Sequence, residues 1–163
     1  MLFFPDADQV MPHAMAFARL MIAHAGFEAG IRNLQGAVAG DDSFGEQPRN
    51  QWKAHERAER MVKLIKDKIG DIEEAQPIAD ILIDAIKPTD DRNLLAHGHW
   101  WRFNPENSVL TVRRGRIRRG ESMDVYWTAA EIDVLAATFD DLEAELFKLR
   151  REFERNWIEA TVG

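Results

Sequence analysis

The chain has 163 residues, a formal net charge of −7, a 30% share of charged residues and no cysteine. That length suits one domain able to bury a real core, while the lack of cysteine excludes a disulfide scaffold, a thiol nucleophile, iron–sulfur ligation and cysteine-based zinc sites. No run approaches the roughly 18 uninterrupted apolar residues of a membrane span, and the first basic residue is Arg19. The expectation is a cytoplasmic protein with no secretory signal and no membrane partner.

A first helix is predicted over about residues 8–38. Met11, Met15, Ala18, Ile22, Ala25 and Ala29 recur at steps of four and three, the spacing of one helical face, and Val10, Ala14, Phe17 and Met21 widen it. Pro12 falls in the first turn, where a missing N–H is harmless, and Gly26 and Gly30 are expected to bend the far half. Residues 40–48 carry loop chemistry. A second helix follows over about 49–69, with Ala54, Ala58, Met61, Ile65 and Ile69 as its stripe, Lys66 and Lys68 in the last turn, and Gly70 placed to end it. A third runs over about 77–87, with Pro77 in its first turn. Pro88 is expected to break or kink the path, Thr89 to cap a new turn reaching His97, and Gly98 to stop it.

From Trp100 the periodicity changes. Residues 100–103 and 108–113 flank Asn104-Pro105-Glu106-Asn107, which reads as a hairpin with a four-residue turn, and residues 123–127 add a third short strand. Thr128-Ala129-Ala130-Glu131 is a capping box, since each side chain can satisfy an orphan amide of the other. The final helix carries Ile132, Leu135, Phe139, Leu142, Leu146, Leu149 and Phe153 at alternating steps of three and four. That repeat matches the first helix, so the two are expected to share a seam. These elements predict a mainly all-α protein: a single domain over residues 1–163, built as a helical bundle with a small β-meander (about 100–127) before the C-terminal helix.

Packing does not account for Asp90-Asp91-Arg92-Asn93-Leu94-Leu95-Ala96-His97-Gly98. At about 100° per residue, Arg92, Asn93, Ala96 and His97 share one side of a helix while Leu94 and Leu95 point the other way, toward the bundle. Asn93 and His97, four apart, are within hydrogen-bonding reach. Such groups suit phosphate chemistry. Arginine offers a permanent fork for non-bridging oxygens, and an imidazole can take or give a proton near neutral pH. A helix C-terminus also favours a cation there. The plainer alternative is an arginine in a salt bridge and a histidine capping the helix end.

Arg92-Asn93-Leu94-Leu95-Ala96-His97 resembles the R-x(4–6)-H motif of HEPN domains, including the polar residue directly after the arginine. The resemblance implies a four-helix-bundle-like fold, commonly a homodimer, and in many members a metal-independent endoribonuclease of a toxin–antitoxin or defence system that uses no cofactor. By that resemblance Arg92 and His97 are the catalytic residues and Asn93 assists them. His97 would serve as general acid or base at the 2′-hydroxyl or the leaving oxygen, and Arg92 would stabilise the phosphorane. RNA, a second copy of the chain and an antitoxin protein are the implied partners. Some family members have lost catalysis and bind a protein or nucleotide instead, which is the alternative function.

Charge adds a second feature. From residue 102 to residue 119, Arg102, Arg113, Arg114, Arg116, Arg118 and Arg119 stand against Glu106 alone, a local sum of +5 that leaves −12 for the rest. A positive element beginning within a few residues of His97 suits an RNA backbone, and Trp100, Trp101 or Tyr126 would offer a stacking face. Alternatively these arginines pair with acidic helices, and the tryptophans are core. A metal site would have to use His97 and His99 with Asp90 or Asp91. No H-E-x-x-H motif supports one, and His13, His24 and His55 are scattered over other helices. No metal is expected.

Overall fold

The computed structural model describes residues 6–39, 54–69, 75–113 and 124–162. In chain order they form α1 (Ala7–Ala39), α2 (Ala54–Ile69), α3 (Ala75–Asp84), α4 (Ile86–His97), β1 (His99–Asn104), β2 (Val109–Arg113), β3 (Asp124–Trp127) and α5 (Ala129–Val162). The protein is mainly α, with one three-stranded antiparallel sheet of order β1-β2-β3. No described helix is long and apolar enough to cross a membrane. The expected loop at 40–48, the first turn of the expected second helix, Gly70 and the side chains of Ala54, Ala58, Lys68 and Ile69 lie outside the described residues.

The C-terminal helix follows its sequence pattern closely. Ile132, Leu135, Phe139, Leu142, Leu146 and Phe153 are all buried, and Leu149 is half-buried. Its start is the expected capping box. The Thr128 amide donates to Glu131 Oε2 at 2.7 Å, and the Glu131 amide donates back to Thr128 Oγ1 at 3.2 Å.

The first helix buries a different face from the one predicted. His13, Ala16, Leu20, Ala23, His24, Phe27, Ile31 and Leu34 point inward, while Met11, Met15, Ala18, Ile22 and Ala25 are exposed, Ile22 at 73%. Both faces are apolar by count. The buried one carries the bulkier side chains, which fill more space per turn, and its two histidines hide it from a hydrophobicity reading. α1 runs on through Gly26 and Gly30 to Ala39. They lie where the Glu143 and Leu146 side chains of α5 come close, so a side chain there would meet them.

The break between α3 and α4 falls at Ala85, not at Pro88. Ala85 donates its N–H to the Ile81 carbonyl at 3.1 Å, closing α3. Pro88 is then the third residue of α4, among the first-turn amides that have no intrahelical acceptor, so its missing N–H breaks nothing. Thr89 lies inside the helix rather than at its cap.

The chain divides into two units: Met1–His24 with Lys87–Phe139, and Ala25–Ile86 with Asp140–Gly163. The second unit is helical, with α2 beside α3. Met61 and Ile65 are buried there with Ile78, Ile81 and Leu82, as are Phe27, Ile31 and Leu34 from α1 and Leu142, Leu146 and Phe153 from α5. The first unit holds the sheet. Pairs Trp100↔Val112↔Val125 and Phe103↔Leu110↔Trp127 share the inner face. Phe17 of α1 meets Trp100 edge-on at 5.3 Å, and His13 meets Phe103 at 5.5 Å. Arg19 forks onto Asp133 of α5 with two 2.8 Å hydrogen bonds. The hairpin turn sits one residue later than predicted, over residues 105–108, and Ser108 takes a φ of 52° to bring the chain back.

The two faces of α1 separate in a denaturation experiment. Leu20→Ala should cost about 2–5 kcal/mol, whereas Ile22→Ala should cost less than about 1 kcal/mol. Urea unfolding of each variant at low protein concentration checks the assignment, and a reversed order would overturn it.

Candidate functional site

The site is built on the last turns of α4. Leu95 is fully buried and anchors the helix, whereas Leu94 is half-buried to the same degree as Arg92, Asn93 and Ala96, so the expected division into a leucine side and an outward polar side is met at Leu95 alone. His97 is exposed in the final turn, while Arg92 and Asn93 are only half-exposed. Arg92 Nη1 donates to Asn93 Oδ1 at 2.9 Å. Among the described residues no hydrogen bond joins Asn93 to His97, so the expected contact is replaced by one between the two neighbours. Arg92 Nε is sealed from solvent with no partner among the described residues. A guanidinium has five N–H donors, so this one holds its neighbour with one of them while its Nε keeps no partner among the described residues.

Gly98 fixes where His97 stands. Its amide donates to the Leu94 carbonyl at 2.8 Å, which ends the helix. A Cβ at position 98 would collide with that same carbonyl and with Val112 Cγ1, and would lie 3.2 Å from the Arg113 carbonyl. Only glycine lets β2 come this close to the end of α4. Trp100 locks the junction from the other side, donating its indole N–H to the Leu95 carbonyl at 2.8 Å. That carbonyl lies in the last turn of α4 and has no intrahelical donor, so the tryptophan meets a need the helix end creates.

The basic residues separate. Arg102 is exposed on β1. Arg113 takes the salt-bridge alternative: its Nε and Nη2 donate to the two Asp124 oxygens at 2.8 and 3.1 Å across the β2–β3 pair. Its guanidinium also lies over the Trp101 ring, 4.0 Å from the centroid. Hydrogen bonding to Arg113 holds the Asp124 carboxyl below the ordinary aspartate range, and the same bond raises the arginine. A carboxylate lowered in this way stabilises the folded state at neutral pH, and that contribution is lost as pH falls through the lowered value. Arg114, Arg116, Arg118 and Arg119 lie outside the described residues.

His99, the first residue of β1, is exposed and pairs with Arg113. Asp91 is held by Lys87 at 2.5 Å, and Asp90 is exposed. No three His, Asp or Glu side chains are grouped to hold a metal ion among the described residues. Two histidines that the sequence reading set aside turn out to be core. His13 donates Nε2–H to the Trp127 carbonyl at 3.3 Å, and His24 packs edge-on against Phe139 at 4.9 Å. Their spacing on the buried stripe of α1 was the available signal. The Asp124–Arg113–Trp101 stack was missed as well. Its signal was the alternation of residues 111 to 113 and 124 to 126, which puts Arg113 and Asp124 on one side of adjacent strands.

Comparison with protein-family models, with curated proteins and with solved structures finds no match to this chain.

Because β2 occupies the space a side chain at 98 would need, Gly98→Ala should destabilise the first unit by about 1–3 kcal/mol and displace His97 from the sheet. Thermal unfolding checks the loss. An unchanged midpoint would show that the junction is not close-packed.

Proposed function

We propose that this chain is a HEPN-like, metal-independent endoribonuclease of a four-helix-bundle-like fold, acting in a toxin–antitoxin or defence setting and using Arg92, Asn93 and His97. The observation that carries the reading is the end of α4, where an exposed imidazole follows five residues after an arginine whose guanidinium is tied to the adjacent asparagine. These groups match an internal transesterification. The RNA's 2′-oxygen attacks the adjacent phosphorus and the 5′-oxygen of the next nucleotide leaves. The 2′-hydroxyl proton goes to a base, and the leaving oxygen receives a proton from an acid. His97 serves one of these transfers. Arg92 donates to the non-bridging oxygens as negative charge builds on the phosphorane, and Asn93 keeps the guanidinium oriented. The products are a 2′,3′-cyclic phosphate and a 5′-hydroxyl.

In this reading the chain works as a homodimer that brings two copies of residues 92–97 to one cleft, so that a second His97 supplies the other proton transfer. The exposed apolar repeat of Met11, Met15, Ala18 and Ile22 supports self-association. It presents a heptad seam that the chain's own core leaves uncovered. A second reading, a non-catalytic HEPN-like dimer binding a protein or nucleotide, is favoured by the half-burial of Arg92 and by its bond to Asn93, which suit a structural arginine.

Incubation of end-labelled RNA in EDTA separates the two. The wild-type protein should cut RNA and leave DNA intact, with cyclic-phosphate ends. His97→Ala should be slower by about 10²–10⁴-fold, and Arg92→Ala should also lose most activity. Cleavage that requires added magnesium, 5′-phosphate ends, or full activity in either variant would overturn the nuclease mechanism, and no cleavage at all would favour the binding dimer.

For the dimer, light scattering at micromolar concentration should report twice the chain mass. Ile22→Lys should shift it toward one chain mass without unfolding. A wild-type monomer would refute the assembly.

A further inference from the structure

The outer face of the sheet carries more exposed aromatic surface than a meander needs. Strand pairing puts His99, Arg113 and Asp124 in one row of that face and Arg102, Thr111 and Tyr126 in the next. The register slips between Trp100 and Arg102. Trp101 is therefore the extra residue of a bulge, and it turns out onto the Arg113 side instead of inward with Trp100. Trp101 is 44% exposed and Tyr126 is 65% exposed. They sit on the two edge strands, about 10 Å apart at ordinary strand spacing.

Trp101 is also braced on one face. Asp124 bonds Arg113 with two hydrogen bonds, and the guanidinium carbon lies over the indole 4.0 Å from its centroid. A carboxylate, a guanidinium and a ring in sequence fix the tryptophan before any ligand arrives. That lowers the entropy a ligand must give up on stacking against the remaining surface. Core packing gives no reason to clamp a ring that stays in solvent.

We infer that Trp101 and Tyr126 form a stacking platform for unpaired bases of a single-stranded nucleic acid. In the cell this is the RNA that the His97 site acts on, and that identification of the strand rests on the nuclease reading. Charge favours this occupant over a protein segment. Among the described residues placed on this face Asp124 is the one acid, and its pairing with Arg113 leaves the basic groups of Arg102 and His99, on a chain whose net charge is −7. Stacking supplies affinity without base preference, because every base has a π-face. The row of His99 and Arg113 lies two residues from His97, so a strand lying on the platform leads toward the end of α4.

The test uses the full chain with His97→Ala, so that RNA survives the measurement. Its probes are labelled oligouridine and oligoadenosine of about 12 nucleotides, a length single-stranded binders cover, the matching DNA strands, and the RNA duplex. Trp101→Ala and Tyr126→Ala should each weaken binding of both RNA and DNA single strands by roughly 5- to 150-fold. Trp101→Phe should retain most of the affinity, which separates stacking from misfolding, and the duplex should bind more weakly than either strand. Parent-like affinity in both alanine variants, the result expected if the face docks a protein, would overturn the platform. So would a parent chain that binds no single strand, or one that prefers the duplex. The two readings fail separately. Ring-dependent binding by a wild-type protein that cuts nothing removes the nuclease and leaves the platform. Cleavage with ring-independent binding does the reverse.

Discussion

The close approach of β2 to the end of α4 is the constraint on which the first unit depends. A helix that stops must leave carbonyls without donors, and a strand that starts must find a neighbour. Gly98 answers both within one residue, giving its N–H to Leu94 and leaving the space that Val112 and the Arg113 carbonyl occupy. Trp100 then takes up the Leu95 carbonyl with its indole N–H and meets Phe17 in a T-shaped contact. The direction of β1 is thereby fixed by the helix before it. With β1 fixed, the register of the hairpin decides that Arg113 faces outward, and pairing with β3 decides that Asp124 meets it. A sheet of three short strands has little stability of its own. This one is held from its inner face by α1 side chains and at its first residues by α4.

Much of this was legible in the sequence, for reasons that differ by element. The last helix was clear because its stripe is made of leucine, isoleucine and phenylalanine, with charges filling the intervening positions. The capping box was clear because two residues at a fixed spacing satisfy each other locally and need no partner from elsewhere. The hairpin strands emerged to within a residue or two, since Asn104-Pro105 marks a turn by its own chemistry, but the residue that took the left-handed conformation was Ser108, which has no such signature.

The first helix was misread because its burial is not a local property. Its heptad of methionine, alanine and isoleucine is the cleaner repeat, yet the face with Leu20, Phe27, Ile31 and Leu34 wins the core because larger side chains fill it better. Two histidines on that face looked polar and proved to be packed rings. Proline breaks a helix only in its interior; as the third residue of α4, Pro88 removes an amide that has no intrahelical acceptor. In the candidate site, the order Arg-Asn-x-x-x-His was visible and so was its placement at a helix end. The bond from Arg92 to Asn93 was not visible, because side chains adjacent in sequence point about 100° apart on a helix, and only a long, bending guanidinium can close that gap.

The capping box has one more effect, on where a polyanion can bind. The exposed amides at a helix start are among the commonest places for a phosphate to settle, and α5 starts directly after the strand that carries Tyr126. That start is already taken. The Glu131 carboxylate accepts from both the amide and the hydroxyl of Thr128, and the Thr128 hydroxyl oxygen in turn receives the Glu131 amide. The Thr128 amide is thus already bonded to a carboxylate, whose charge repels a phosphate. On the inferred platform a strand's phosphates would therefore meet Arg102 of β1 rather than the start of α5, so that an ordinary stabilising motif would also act as a fence along one side of the track.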